Sequence, residues 1–185
     1  MKKSIYYSLL ISAMVSVSVA EETRQVDKHE HGVGELNIAI EGNAIDFEFF
    51  IPGADIVGFE YEAKTESDIA LVNAALEKFG NFDNIFSLPE SSNCNLVNSE
   101  IGVNQDDDHD DHDEHDDHNE EAHNEFVAHY SFNCENIKEI DRISFPYFTN
   151  FPNSGELEVQ FVSEKGSTGF EVEGDEPFID LKGKI

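Results

Sequence analysis

Glu35-Leu36-Asn37-Ile38-Ala39-Ile40-Glu41-Gly42-Asn43-Ala44-Ile45-Asp46-Phe47-Glu48-Phe49 is the stretch on which the fold turns. Polar and apolar residues alternate on both sides of Gly42-Asn43. Successive side chains of a strand point to opposite faces, so a period of two is the mark of a half-buried strand. Gly-Asn between two such runs is turn chemistry, and the spacing predicts a hairpin that ends at Pro52-Gly53. A fold that starts this way has a sheet with one wet face.

Further along the chain, residues 55–62 form a connection carrying Gly58-Phe59-Glu60-Tyr61. Ile69, Leu71, Val72, Ala75, Leu76 and Phe79 then recur at spacings near three and four, which predicts one clear helix over about 66–79. Thr65 or Ser67 can cap it, and Gly80 supplies its stop. Phe82, Ile85, Phe86 and Leu88 fill an irregular stretch before Pro89. Strands are expected at residues 94–103 and 125–134, like the legs of a long hairpin. Residues 136–150 read both ways, beginning at helical spacing and then alternating, with Pro146 against a continuous helix. The remainder reads as strands at 156–163, 170–173 and 178–181. The expected class is α+β, mostly antiparallel sheet with one clear helix, in a single metal-binding domain over residues 21–185.

The first twenty residues stand apart. Lys2 and Lys3 precede an apolar run from Ile5 to Val19, and Ser18-Val19-Ala20 puts small residues before Glu21. That is the pattern of a secretory signal peptide over residues 1–20, in the style of a bacterial export signal, and it points to the periplasm. An uncleaved anchor is the alternative, but the run is short and Ser-rich for a membrane span. No second apolar run of spanning length follows, so no membrane insertion of the mature chain is expected. Cys94 and Cys134 are the only cysteines, and in an oxidising compartment a single disulfide is their default state. A thiolate metal site or a nucleophilic cysteine is the rival. The bridge would clamp the base of everything between its ends.

Charge narrows the partners. The 185 residues hold 40 Asp plus Glu against 11 Lys plus Arg, a formal net charge of −29. Such a chain repels phosphate backbones and anionic lipid, which excludes nucleic acid as an expected partner and favours cations. Fifteen Phe and 39% hydrophobic residues still provide for a packed core.

The acid is not spread evenly. Residues 106–125 contain twelve Asp or Glu, five His and no Lys or Arg. His109, His112, His115 and His118 recur every third residue, His123 follows, and His129 lies on the next predicted strand. With His29 and His31 these are all eight histidines of the chain. Neutral imidazole is a preferred ligand of Zn²⁺, Cu²⁺ and Ni²⁺, and carboxylate oxygens complete such a shell. Residues 104–123 cannot build a core and are expected to be a flexible, disordered insertion that binds several ions loosely. A solvated acidic insertion with incidental histidines is the plainer alternative. Calcium binding by the carboxylates is another, and it leaves the histidines unexplained.

His29-x-His31 is a second candidate, since two residues apart on an extended chain both imidazoles lie on one face. A pair of ordinary surface histidines would look the same. On the strand 125–134, alternation puts Phe126, Ala128, Tyr130, Phe132 and Cys134 on the core face and His129 with Val127 and Ser131 on the other. His129 can be a ligand or a plain surface histidine; if that strand lies beside the start of 35–41, His29, His31, His123 and His129 can form one site.

These residues carry a resemblance. His29-Glu30-His31-Gly32, Glu35-Leu36-Asn37, Ile56-Val57-Gly58-Phe59-Glu60, Phe86-Ser87-Leu88-Pro89, Cys94-Asn95-Leu96, Phe132-Asn133-Cys134 and Phe151-Pro152 with Leu157-Glu158-Val159-Gln160 resemble the ZrgA-type zinc uptake proteins of the bacterial periplasm. The resemblance implies a zinc-binding protein that assists a zinc ABC transporter, with a His-rich insertion between two Cys-bearing strands. It also implies His29, His31, His123 and the insertion histidines as ligands, with Glu60 as a possible carboxylate. Val33 and Tyr61 stand where members of that family often carry His.

The expected function is therefore capture or delivery of Zn²⁺ for uptake. The alternatives are a periplasmic metal buffer or efflux accessory for Zn, Cu or Ni, and a calcium-binding structural module. An enzyme is not expected: His-Glu-His lacks the i, i+4 spacing that sets two zinc ligands on one helical face, and neither Gly-x-Ser-x-Gly nor a phosphate-cradling loop occurs.

Overall fold

The computed structural model describes residues 32–105 and 124–185. β1 (Val33–Glu41) and β2 (Ala44–Pro52) form the predicted hairpin. Gly42 turns it at φ 59°, a left-handed conformation that glycine adopts without steric cost. β3 (Cys94–Gln105) and β4 (Asn124–Cys134) form the second long antiparallel pair, with a bulge between Leu96 and Asn98. β6 (Glu156–Ser163) pairs antiparallel with β7 (Gly166–Glu173). β7 starts earlier than the sequence predicts, because Gly166-Ser167-Thr168-Gly169 carries no apolar alternation to announce it.

The six strands lie in the order β3-β4-β2-β1-β6-β7. The β1/β6 pair is parallel, and the other pairings described are antiparallel. β5 (Arg142–Ser144) and β8 (Phe178–Asp180) make a small second sheet. The class is α+β, as the sequence indicates. Among the described residues no helix is long and apolar enough to cross a membrane. The expected signal peptide, His29, His31 and the insertion histidines up to His123 lie outside the described residues.

One face of the large sheet is the core. Leu36 and Ile38 from β1, Phe47 and Phe49 from β2, Phe126 and Tyr130 from β4, and Leu157 and Phe161 from β6 are all buried there. Burying a side chain of this size contributes roughly 1.5–3 kcal/mol, so the buried Phe side chains weigh heavily against the repulsion among carboxylates. The cover is partly α2 (Glu66–Gly80) and partly irregular chain. Phe86 stacks on Phe47 with centroids 4.0 Å apart and meets Tyr130 edge-on at 5.4 Å. Phe79 of α2 stacks on Phe151 at 5.0 Å, and the Tyr130 hydroxyl donates to the Phe79 carbonyl at 2.6 Å.

Thr65, rather than Ser67, caps α2. Its side chain accepts from the Asp68 N–H at 3.2 Å while the Asp68 carboxylate accepts from the Thr65 N–H at 3.4 Å, a reciprocal capping box. Gly80 does not act as a left-handed stop: it is the last helical residue, and Asn81 after it is extended. The apolar stripe is also wider than the face that packs. Ala75 and Phe79 are buried, whereas Ile69 and Leu71 are 45% and 51% exposed. The ambiguous stretch near 140 resolves into a short 3₁₀ turn, β5, and α3 (Tyr147–Asn150), which begins directly after Pro146 where a missing N–H costs nothing.

Candidate metal centre

β1 and β6 begin, β2 and β3 end, and β4 begins at one end of the large sheet. Pro52 stops β2, since it has no N–H for a further rung, and the chain turns into α1 (Gly53–Val57). Gly58 closes that turn at φ 85° with its N–H on the Ala54 carbonyl. Phe59, Glu60 and Tyr61 follow, with the Phe59 and Tyr61 rings stacked at 4.5 Å.

Two other chain segments dock on this turn. Gly32 donates its N–H to Oδ1 of Asp55 at 2.8 Å, and its carbonyl accepts from the N–H groups of Gly155 and Glu156 at 2.9 and 2.8 Å. From the other side, Asn124 donates its backbone N–H to the Glu60 carbonyl at 2.8 Å and its side-chain NH₂ to the Tyr61 carbonyl. Gly53 sits beneath this junction. A Cβ there would lie 2.7 Å from the Phe59 carbonyl and 3.0 Å from Asn124, so only glycine lets the segments approach so closely.

Carboxylates collect at the same end. Asp55 is 3% exposed, and Glu60, Glu125 and Glu156 are half-buried. Behind Asp55 the Tyr147 hydroxyl lies 2.6 Å from Oγ of Ser154. Burial pushes the Tyr147 hydroxyl pKa well up, and the nearby Asp55 charge acts in the same direction.

His31 is the residue before Gly32, and His123 is the residue before Asn124. The N-terminal patch and the insertion thus join the described fold at the two positions that dock on the 53–61 turn. Glu60, named from sequence, lies in that turn. Asp55 and Asn124 were not legible: Asp55 reads as one more acid in a connection, and its partner Gly32 is 23 residues away. Asn124 is a lone polar residue at a strand edge, without any motif around it.

His129 is elsewhere. β4 lies beside β2 and β3, not beside β1, so the arrangement that would unite His129 with His29, His31 and His123 does not occur through strand adjacency. His129 pairs with Glu48 of β2 and Glu100 of β3 in register, on the open face. Its Nε2 is 3.7 Å from Oδ1 of Asp46, which also accepts from the Ser131 hydroxyl. Five residues of strand separate His129 from Asn124, or roughly 16 Å at about 3.3 Å per residue. Among the described residues no group of three His, Cys, Asp or Glu side chains is close enough to hold a metal ion.

Cys94 and Cys134 face each other across β3 and β4 and form a disulfide, so neither is a thiolate ligand. The bridge is at the foot of that hairpin, and the insertion leaves from the opposite end.

The family model for ZrgA family zinc uptake proteins matches residues 28–181, which is most of the chain. No curated protein matches it.

Proposed function

Because the chain belongs to the ZrgA family of zinc uptake proteins, we propose that it is a periplasmic, non-enzymatic carrier that captures Zn²⁺ and delivers it for uptake, with a zinc ABC transporter as partner. The proposed ligands are His29, His31 and His123 with Glu60 at the sheet end, and His109, His112, His115 and His118 in the insertion. One observation carries this reading: Gly32 and Asn124, the residues that follow His31 and His123, both dock on the turn that holds Asp55 and Glu60.

The division of labour follows from ordering entropy. A His/Asp tract binds ions at a cost of roughly 1–2 kcal/mol for each residue it must fix, so it collects several ions weakly. Ligands attached to a built turn have less to lose and bind more tightly. Imidazole nitrogen with carboxylate oxygen is a donor set suited to Zn²⁺. The dense insertion would also suit a buffer for excess metal, and expression under zinc starvation against zinc excess separates the two roles.

Zinc titration of the purified protein is the direct test. Binding of more than one ion per chain is expected, with the weak sites lost when residues 106–121 are deleted and the tight site lost on His29→Ser with His31→Ser. Absence of both binding heat and retained metal after desalting would sink the proposal.

A further inference from the structure

We infer that Asn124 is a positioning residue for Glu60, fixing that carboxylate for the metal. The inference rests on the reading above that Glu60 ligates zinc. Glu60 lies in neither helix nor strand, so no helical or ladder hydrogen bonding sets its backbone orientation. Asn124 sets it from 64 residues away in sequence. Its two donors take the carbonyls of consecutive residues, Glu60 and Tyr61, and so fix the two successive peptide groups that follow the Glu60 and Tyr61 α-carbons.

The contact is built rather than incidental. Asn124 is 2% exposed and packs on Gly53, where an added Cβ would lie 3.0 Å from the Asn124 Cβ and carbonyl oxygen and 2.7 Å from the Phe59 carbonyl. The amide oxygen of Asn124 is buried and has no hydrogen-bond partner among the described residues. Buried polar atoms without partners are rare in native proteins. An amide oxygen accepts only, so what satisfies it is a donor or a cation. Outer groups that orient metal ligands belong to the working site, and their loss typically weakens metal binding by roughly 10–100-fold. Asn124 has the features of such a group: two donors used to hold a ligand segment, and one buried acceptor left over.

The test uses the full chain with His109, His112, His115 and His118 changed to Asn, so that the sheet-end site dominates. Zinc affinity is measured by competition with a chromogenic chelator in Asn124→Ala, Glu60→Gln and the double variant, together with the melting temperature of each metal-free protein. A roughly tenfold or greater loss of affinity in Asn124→Ala is expected. The double variant should bind no worse than Glu60→Gln alone, because a positioning residue has nothing left to position. Unchanged affinity in Asn124→Ala beside weakened Glu60→Gln would overturn the inference, as would losses that simply add. Unchanged affinity in Glu60→Gln would instead overturn the ligand assignment on which the inference rests. Asn124→Ser, which keeps the backbone N–H and a polar side chain, carries the same comparison if the alanine variant does not fold.

Discussion

Oδ1 of Asp55 accepts the backbone N–H of Gly32 at 2.8 Å, and this bond ties the entry of β1 to the helical turn that follows β2. The hairpin between them brings the two residues together across 23 positions of sequence. Asp55 is almost fully buried, so its carboxylate is held in a setting where such a bond is worth more than at a surface. The bond decides where the chain preceding Gly32 leaves the sheet. If that chain carries zinc ligands, Asp55 supports the site without touching the metal.

Asp55→Ala removes a charged acceptor and should lower stability by about 2 kcal/mol, read as a shift in the urea midpoint. Asp55→Asn keeps an acceptor oxygen for Gly32 and should lose less. Both should weaken zinc binding at the sheet end, with alanine the worse of the two. Equal affinities in the two variants and the parent protein would disconnect Asp55 from the site.

The disulfide predicts the reverse pattern. Cys94–Cys134 closes a loop with a sequence separation of 40, which in the chain-entropy model corresponds to about 4 kcal/mol. Replacing both cysteines by serine should reduce stability by up to that amount. Along β3 the bridge is eleven residues from Gln105, roughly 36 Å at about 3.3 Å per residue. Zinc affinity of the folded double variant, measured by competition at low temperature, should therefore match that of the parent. A large loss of affinity in a chain that is still folded would contradict this separation.

Much of the fold was legible because it rests on local periodicity. The alternation in β1, β2 and β4 placed Phe47, Tyr130 and Ile38 inward, and all three are buried. The helix at 66–80 was legible from its stripe, although Ile69 and Leu71 show that a stripe does not say how much of it a sheet will cover. Strand order was not legible, because the parallel β1/β6 pairing joins segments more than a hundred residues apart with nothing local to announce it. That gap is why the position of His129 relative to β1 stays open at the level of sequence. Histidine spacing is what raises the expectation of cation binding, whereas the docking residues Asp55 and Asn124 act through long-range hydrogen bonds that leave no pattern in a sequence.

Alkaline pH supplies a further check on the core. Burial raises the hydroxyl pKa of both Tyr130 and Tyr147 far above the ordinary value of about 10. A tyrosine whose pKa is raised by folding holds its proton in the native state where the unfolded chain has released it. The stability this reflects is fully present below about pH 10 and is lost as pH rises through the alkaline range toward the folded-state pKa. Phenolate absorbance from these two residues should therefore appear together with the loss of far-ultraviolet circular dichroism. Ionisation of both in a chain that retains its sheet would show that the burial is not maintained in solution.

His129 provides the sharpest test of where zinc is held. Its imidazole lies among Asp46, Glu48 and Glu100 on the open face, which looks like a ligand set when only residue types are considered. The strand register moves it five residues down β4 from the end where Gly32 and Asn124 dock, too far for a side chain of about 6 Å to share a metal with Glu60 by the ordinary spacing of strand residues. His129→Gln should then leave zinc stoichiometry and the tight-site affinity unchanged within error. The same substitution removes only a partly exposed pairing with Asp46, whose contribution to stability is under about 1 kcal/mol. His31→Gln, by contrast, should weaken the tight site by an order of magnitude or more if the proposed ligand set holds. Calorimetric titration of the two variants side by side decides it: loss of a zinc equivalent in His129→Gln would move the site onto the open face of the sheet.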